Sequence, residues 1–211
     1  MGLGVFPGTH KRFLGMLGMH GTYQANMAMH NADLIIALGA RFDDRITNAP
    51  DKFAPRAKII HFDVDHSSVS KIIEADIAVF GQIKDSLQAI NNHLKTKIDE
   101  IDNEKLAPWH QQISDWKEKH GLNHDLYKIE DDSGPILPQA AVQHIYQESQ
   151  GKAFVTSDVG QHQMFAAQYY HFDEPRKWIN SGGLGTMGFG LPSAMGVKLA
   201  YPDEEVICIT G

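Results

Sequence analysis

Four short apolar runs rich in β-branched residues punctuate the chain, at residues 33–40, 57–65, 153–158 and 205–210. Segments with helical spacing separate them, and this alternation predicts an α/β protein built from parallel-sheet layers. The runs at 33–40 and 57–65 are almost wholly apolar until their C-terminal ends, where Arg41, Asp43, Asp63 and Asp65 enter. Strands of that kind are expected inside a sheet covered on both faces. Polar residues at the strand exits mark the edge where open α/β sheets bind ligands.

Across residues 95–133 the composition turns charged, and Leu106, Trp109, Ile113 and Trp116 share one helical face. This predicts a linker carrying one docked amphipathic helix, with the two tryptophans as packing anchors. A second domain is expected to open at Gly134-Pro135, with a helix over 138–149 leading into the strand at 153–158. The expected organisation is an α/β domain over 1–95, a linker over 96–134 and a second α/β domain over 135–211. Residues 2–21 carry six glycines and no strand to anchor them, and the last strand stops at Gly211, where a ligand-facing loop is due. The pattern reads as an internal piece of a longer protein.

Composition narrows the function classes. The 19 Lys and Arg against 26 Asp and Glu give a formal charge of -7, the wrong sign for a nucleic-acid partner. The lone cysteine, Cys208, lies in the apolar run 206–209 and supplies neither disulfide nor zinc framework. Apolar runs fall far short of the roughly 20 residues of a membrane span, and no signal peptide opens the chain. A soluble, cytoplasmic protein without membrane partner is expected.

Four clusters could carry chemistry. Residues 181–196, SGGLGTMGFGLPSAMG, hold Gly183-x-Gly185-x-x-Gly188 between a predicted strand at 178–180 and a helix starting near Pro192. A nicotinamide-binding fold would need an acidic residue at the end of the next strand, which instead ends in Thr210 and Gly211. The glycines still allow close backbone approach to a ligand and offer N–H donors at a helix start. Residues 157–164, SDVGQHQM, place Gln161 and His162 at a helix start beyond the same sheet edge. Residues 39–45, GARFDDR, and 61–65, HFDVD, follow the first two strands. There Asp63 is an acceptor suited to ribose hydroxyls, and Arg41 or Arg45 a fork for phosphate or carboxylate, against the alternative of surface ion pairing among Arg41, Asp43, Asp44 and Arg45. Residues 17–21, LGMHG, read as a backbone pocket or a turn. None of the 12 histidines has convincing metal-ligand spacing.

Taken together, GMLGMHGTYQANMAMHNADLI, LGARFDDRITN, SDVGQHQMFAAQYY and INSGGLGTMGFGLPSAMG resemble the catalytic large subunit of bacterial acetolactate synthases from end to end. GMHG with RFDDR separates that family from most other thiamine-diphosphate enzymes. The resemblance implies most of a Rossmann-like, FAD-carrying middle domain and the first part of a thiamine-diphosphate-binding α/β domain. It implies FAD along Leu17, Gly18, Met19 and His20, along Gly39, Ala40, Arg41, Phe42 and Asp43, and at Asp63, Val64, Gln82 and Ile83. Thiamine diphosphate would meet Gln161, His162, Gly185, Thr186 and Met187, with the Met187 side chain propping the cofactor in its bent shape. Asp44 and Arg45 would lie near the substrate channel.

The implied reaction joins two pyruvates into 2-acetolactate, or pyruvate and 2-oxobutyrate into 2-aceto-2-hydroxybutyrate, with release of CO2. Mg2+ would assist, but its ligands and the activating glutamate match no residue of this chain, so the isolated chain is expected to be inactive. A homodimer or homotetramer with a small regulatory subunit is the implied assembly. Two rival readings remain: another thiamine-diphosphate enzyme of pyruvate oxidase or glyoxylate carboligase type, and a non-catalytic nucleotide-binding module.

Overall fold

A computed structural model describes residues 2–100, 102–128 and 134–211. They form two compact units, Leu17–Gly121 and Leu122–Gly211, the second also taking in residues 2–16. Residues 129–133 of the expected linker lie outside the described residues.

In the Leu17–Gly121 unit, strands β1 (Leu34–Leu38), β2 (Lys58–Asp63) and β3 (Ile77–Phe80) run parallel in the order β1-β2-β3. Leu38 pairs with Phe62 and Asp63 with Phe80, so the three C-terminal ends share one edge. Helices α1 (Tyr23–Asn31), α2 (Asp44–Thr47), α3 (Ile83–Lys95) and α4 (Asn103–His120) complete the unit. Thr22 starts α1 by accepting from the Ala25 amide, an ordinary N-cap. Helix α4 is the expected amphipathic helix, and it docks on α1, where the Tyr23 and His120 rings lie 4.3 Å apart. Trp109 and Trp116, both half-buried, meet edge-to-face at 5.9 Å on α4. Of the other two members of the predicted helical face, Ile113 is half-buried and Leu106 is exposed.

Burial of the first sheet on both faces is not what the structure shows. Ala37 and Ile59 pack with Phe42 and Ile73 on one face. Leu34, Ile36 and Leu38 point the other way and are exposed, as are Ile77 and Phe80. The reason is that successive strand side chains alternate between faces, while Phe42, Phe53 and Ile73 reach only one of them. The third strand, β3, lies beyond the four apolar runs of the sequence pattern.

In the second unit, α5 (Pro138–Ser149), β4 (Phe154–Ser157), α6 (Gln161–Tyr169), β5 (Trp178–Asn180), α7 (Gly190–Ala200) and β6 (Val206–Ile209) alternate along the chain. The sheet is parallel, in the order β5-β4-β6. Its core is Val142, Val155, Ala166, Tyr169, Tyr170, Phe172 and Trp178. Residues 2–16, although free of any sheet strand, are anchored: the Gly8 amide donates to the Phe172 carbonyl at 2.9 Å. The Thr9 amide and hydroxyl both donate to the Asp173 carboxylate, each at 2.9 Å.

Candidate functional site

Strand β4 is the centre of the second sheet, with β5 on one side and β6 on the other. The chain therefore reverses its direction of travel across the sheet after β5. Such a switch point, at the C-terminal ends of β4 and β6, is where open α/β sheets bind ligands. His162, second residue of α6, sits there. Its ring lies against both Gly160 and Gly211, where a Cβ would come within 2.8 Å and 2.7 Å of imidazole atoms. The His162 Nε2 is buried without a hydrogen-bond partner, an arrangement whose cost a ligand oxygen would relieve. Gln161 beside it is exposed, and Asn180 at the end of β5 carries a second buried, unpartnered oxygen.

The glycine-rich segment after β5 is folded by its own hydrogen bonds. The Gly185 amide donates to the Ser181 carbonyl at 2.8 Å, and the Thr186 amide to the Ser181 hydroxyl at 3.0 Å. The Gly188 amide donates to Asp158 Oδ1 at 2.7 Å, an oxygen that also accepts from the Val159 amide at 2.9 Å. These three loop amides are thereby engaged within the protein. Helix α7 begins at Gly190, two residues before Pro192. A Cβ at Gly190 would lie 2.7 Å from the Asp158 amide nitrogen, so only glycine lets the helix start this close to β4. The Thr156 hydroxyl fastens the same point by donating to the Gly190 carbonyl at 3.0 Å. What the loop presents outward is side chain: Met187 is 78% exposed and Leu184 94%.

In the first unit the motifs LGMHG and RFDDR, distant in sequence, come together. Leu17 leads into a 3-10 turn over Gly18–His20 that packs on α2. Gly18 has φ +82, and any Cβ there would run into the Arg45 carbonyl. Met19 is exposed and His20 half-buried. Asp43 caps α2, its Oδ1 accepting from the Arg45 amide at 2.9 Å, while its other oxygen pairs with Arg41. For Arg41 and Asp43 the surface ion pair is thus realised. Asp44 and Arg45 stand exposed on α2.

Gly39 and Ala40 leave β1 on the exposed edge, with the Gly39 amide donating to the Phe62 carbonyl at 2.8 Å. Ile83 Cδ1, from the start of α3, packs under Gly39, and Gln82 is exposed at the helix N-cap. Phe42 turns inward, its ring edge-on to His61 at 5.1 Å. Asp63 Oδ1 accepts from the Asp65 amide at 2.9 Å. Its Oδ2 lies 3.8 Å from Nε2 of His61, a fully buried ring whose two nitrogens have no hydrogen-bond partner. Val64 is exposed beside it. In the following turn, the Ser67 hydroxyl and amide hold the Asp65 carboxyl below its usual range.

Residues that the motif reading passed over include Asn26, His61, Asp158 and Ser181. Asp158 had a legible signal, an acidic residue at a strand exit; Asn26 and Ser181 had none. Among the described residues no group of three His, Cys, Asp or Glu side chains is arranged to hold a metal ion. No helix among them is long and apolar enough to cross a membrane.

Comparison with known proteins brings the two units under one heading. The family described as "Thiamine pyrophosphate enzyme, central domain" matches residues 1–90, and "Thiamine pyrophosphate enzyme, C-terminal TPP binding domain" matches residues 158–211. Over all 211 residues the chain is 52% identical to the acetolactate synthase isozyme 3 large subunit of Escherichia coli (strain K12). It is 55% identical to the acetolactate synthase large subunit of Buchnera aphidicola subsp. Schlechtendalia chinensis over the same span. Acetolactate synthase 1, chloroplastic, of Nicotiana tabacum is 44% identical, again over the whole chain. The chain spans 36% of the length of the two bacterial relatives and 31% of the tobacco protein. With both units matched and the whole chain aligned, this protein belongs to the thiamine pyrophosphate enzymes, in the family of acetolactate synthase large subunits.

Proposed function

We propose that the protein carrying this chain condenses two pyruvates to 2-acetolactate, or pyruvate with 2-oxobutyrate to 2-aceto-2-hydroxybutyrate, with release of one CO2, in branched-chain amino-acid synthesis. The observation that carries this reading is His162 at the β4/β6 switch point, its buried Nε2 without a partner and the Met187 loop in the same unit. A diphosphate oxygen satisfies that nitrogen, so the residues present fit thiamine diphosphate. When bound, thiamine diphosphate supplies the electron sink for decarboxylation and carbon–carbon bond formation. His162 and Gln161 donate hydrogen bonds to the cofactor, Gly185 and Thr186 bring backbone close to it, and the exposed Met187 side chain props it from an apolar side.

The first unit fits FAD. Asp63 offers a carboxylate oxygen at a strand exit for a ribose hydroxyl, and Gly39 keeps the neighbouring exit open to close backbone approach. On this reading FAD runs along Leu17 to His20, Gly39 to Asp43, Asp63 with Val64, and Gln82 with Ile83. Because Arg41 already neutralises Asp43, that segment contributes backbone and the Arg41 face rather than a free carboxylate. Arg45 pairs its planar fork with the carboxylate of the second 2-keto acid, and Asp44 stands beside it. Magnesium is the ion expected beside the diphosphate, although among the described residues no three His, Cys, Asp or Glu side chains are grouped to hold a metal. The working assembly is a cytoplasmic homodimer or homotetramer with a small regulatory subunit.

The test is to express the complete reading frame that carries this sequence and to supply thiamine diphosphate, magnesium and FAD. Acetolactate formed from pyruvate without oxygen uptake is the expected result. Oxygen consumption, or no thiamine-dependent turnover, refutes it.

A further inference from the structure

Met187 stands outward from a glycine-rich loop, yet the amides on both sides of it are tied to side chains. On one side the Thr186 amide donates to the Ser181 hydroxyl at 3.0 Å. On the other the Gly188 amide donates to Asp158 Oδ1 at 2.7 Å. Asp158 is itself fixed: its amide donates to the Ile209 carbonyl at 3.1 Å, and its carboxylate accepts from the Val159 amide at 2.9 Å. The chain from β4 thus reaches across to grip the loop that leaves β5. Gly185 and Gly188 have φ of +65 and +81, conformations that glycine adopts at no steric cost, so the loop's own backbone does little to hold one shape.

We propose that Asp158, with Ser181 as its counterpart, is a positioning residue that fixes the place of Met187 by bracketing it between two pinned amides. The proposal rests on the thiamine-diphosphate reading of this unit given above. A loop of this composition pays conformational entropy each time its exposed methionine must be brought to a cofactor, and two hydrogen bonds paid for at folding remove part of that cost. Oxygen acceptance is what the geometry uses, since Asp158 Oδ1 receives two amides and needs no partner cation for the task.

The experiment compares wild type, Asp158→Ala and Asp158→Asn in the protein made from the complete reading frame, loaded with thiamine diphosphate, magnesium and FAD. Asp158→Ala is expected to lower kcat and raise the half-saturating concentration of thiamine diphosphate, each by roughly tenfold, the scale of one lost hydrogen bond. KM for pyruvate and bound FAD stay within about twofold of wild type. Asp158→Asn keeps the acceptor oxygen and returns both affected values to within about twofold. Hydrogen exchange at the Gly188 amide is faster in the alanine variant and slow in the asparagine variant. Should the alanine variant not fold, Ser181→Ala against Ser181→Thr, read at the Thr186 amide, makes the same comparison. Wild-type kinetics and exchange in the alanine variant overturn the proposal, as does an asparagine variant as impaired as alanine. A wild-type protein that forms no acetolactate defeats the proposed function instead, and the exchange comparison then decides the bracket by itself.

Discussion

Asn26 clasps Gly18 from both sides: its Oδ1 accepts from the Gly18 amide at 2.7 Å and its Nδ2 donates to the Gly18 carbonyl at 3.0 Å. One side chain on α1 therefore sets the conformation of the LGMHG turn, which in turn abuts the carbonyl of Arg45. Asn26→Ala removes both bonds and is expected to weaken flavin binding by roughly tenfold while leaving thiamine-diphosphate half-saturation unchanged. Titration of the apoprotein with FAD, followed by flavin fluorescence, reads the first effect, and steady-state kinetics with FAD in excess the second. An unaltered flavin affinity would remove LGMHG from the FAD site.

The two cofactor regions should separate by mutation, because Asp63 lies in one compact unit and Met187 in the other. Asp63→Ala removes the strand-end acceptor and should cost about 1–3 kcal/mol of flavin binding, up to about 150-fold in affinity. Met187→Ala should retain flavin and lose thiamine-dependent turnover. Flavin released on denaturing each purified variant, set beside acetolactate production, decides the matter; the opposite pattern would refute the division.

Arg45→Lys keeps the charge but loses the planar fork. Preference for 2-oxobutyrate over pyruvate as second substrate should fall several-fold, with consumption of the first pyruvate little changed. Competition between the two keto acids, quantified by product ratio, measures it. An unchanged ratio would place Arg45 outside substrate selection and return it to the solvated surface that its exposure permits.

Burial raises the Tyr170 phenol above the usual tyrosine value of 10.0, an effect that its 2.9 Å hydrogen bond with Ser149 partly opposes. Burial raises Tyr146 and Tyr169 as well. For an acid whose folded pKa exceeds its unfolded one, the stabilisation is complete below the unfolded value and fades as pH climbs through the folded one. The melting temperature should therefore hold on the neutral side of about pH 10 and drop above it. Tyr170→Phe should lower the neutral-pH melting temperature slightly, for about 1 kcal/mol of hydrogen bond, and make the alkaline drop shallower. Melting curves across that interval test both signs.

The sequence by itself determined the α/β class, the positions of β1, β2, β4, β5 and β6 to within a residue or two, and the helix over Pro138–Ser149. Those elements follow from local physics: apolar runs too short for helices, proline at a helix start, glycine where backbones meet. Motif order was also legible, because GMHG, RFDDR, GQHQ and the glycine-rich run lie within contiguous stretches. Tertiary structure alone decided which partners those motifs take. Asn26 reaches Gly18 across eight residues and Asp158 reaches Gly188 across thirty, and no local pattern encodes such bonds. The open face of Leu34, Ile36 and Leu38 was equally hidden, since an apolar run says that a strand can be covered twice and not what lies on either side of it. Hydrophobic periodicity is a property of one segment, whereas burial and hydrogen bonding belong to pairs of segments that only the fold brings together.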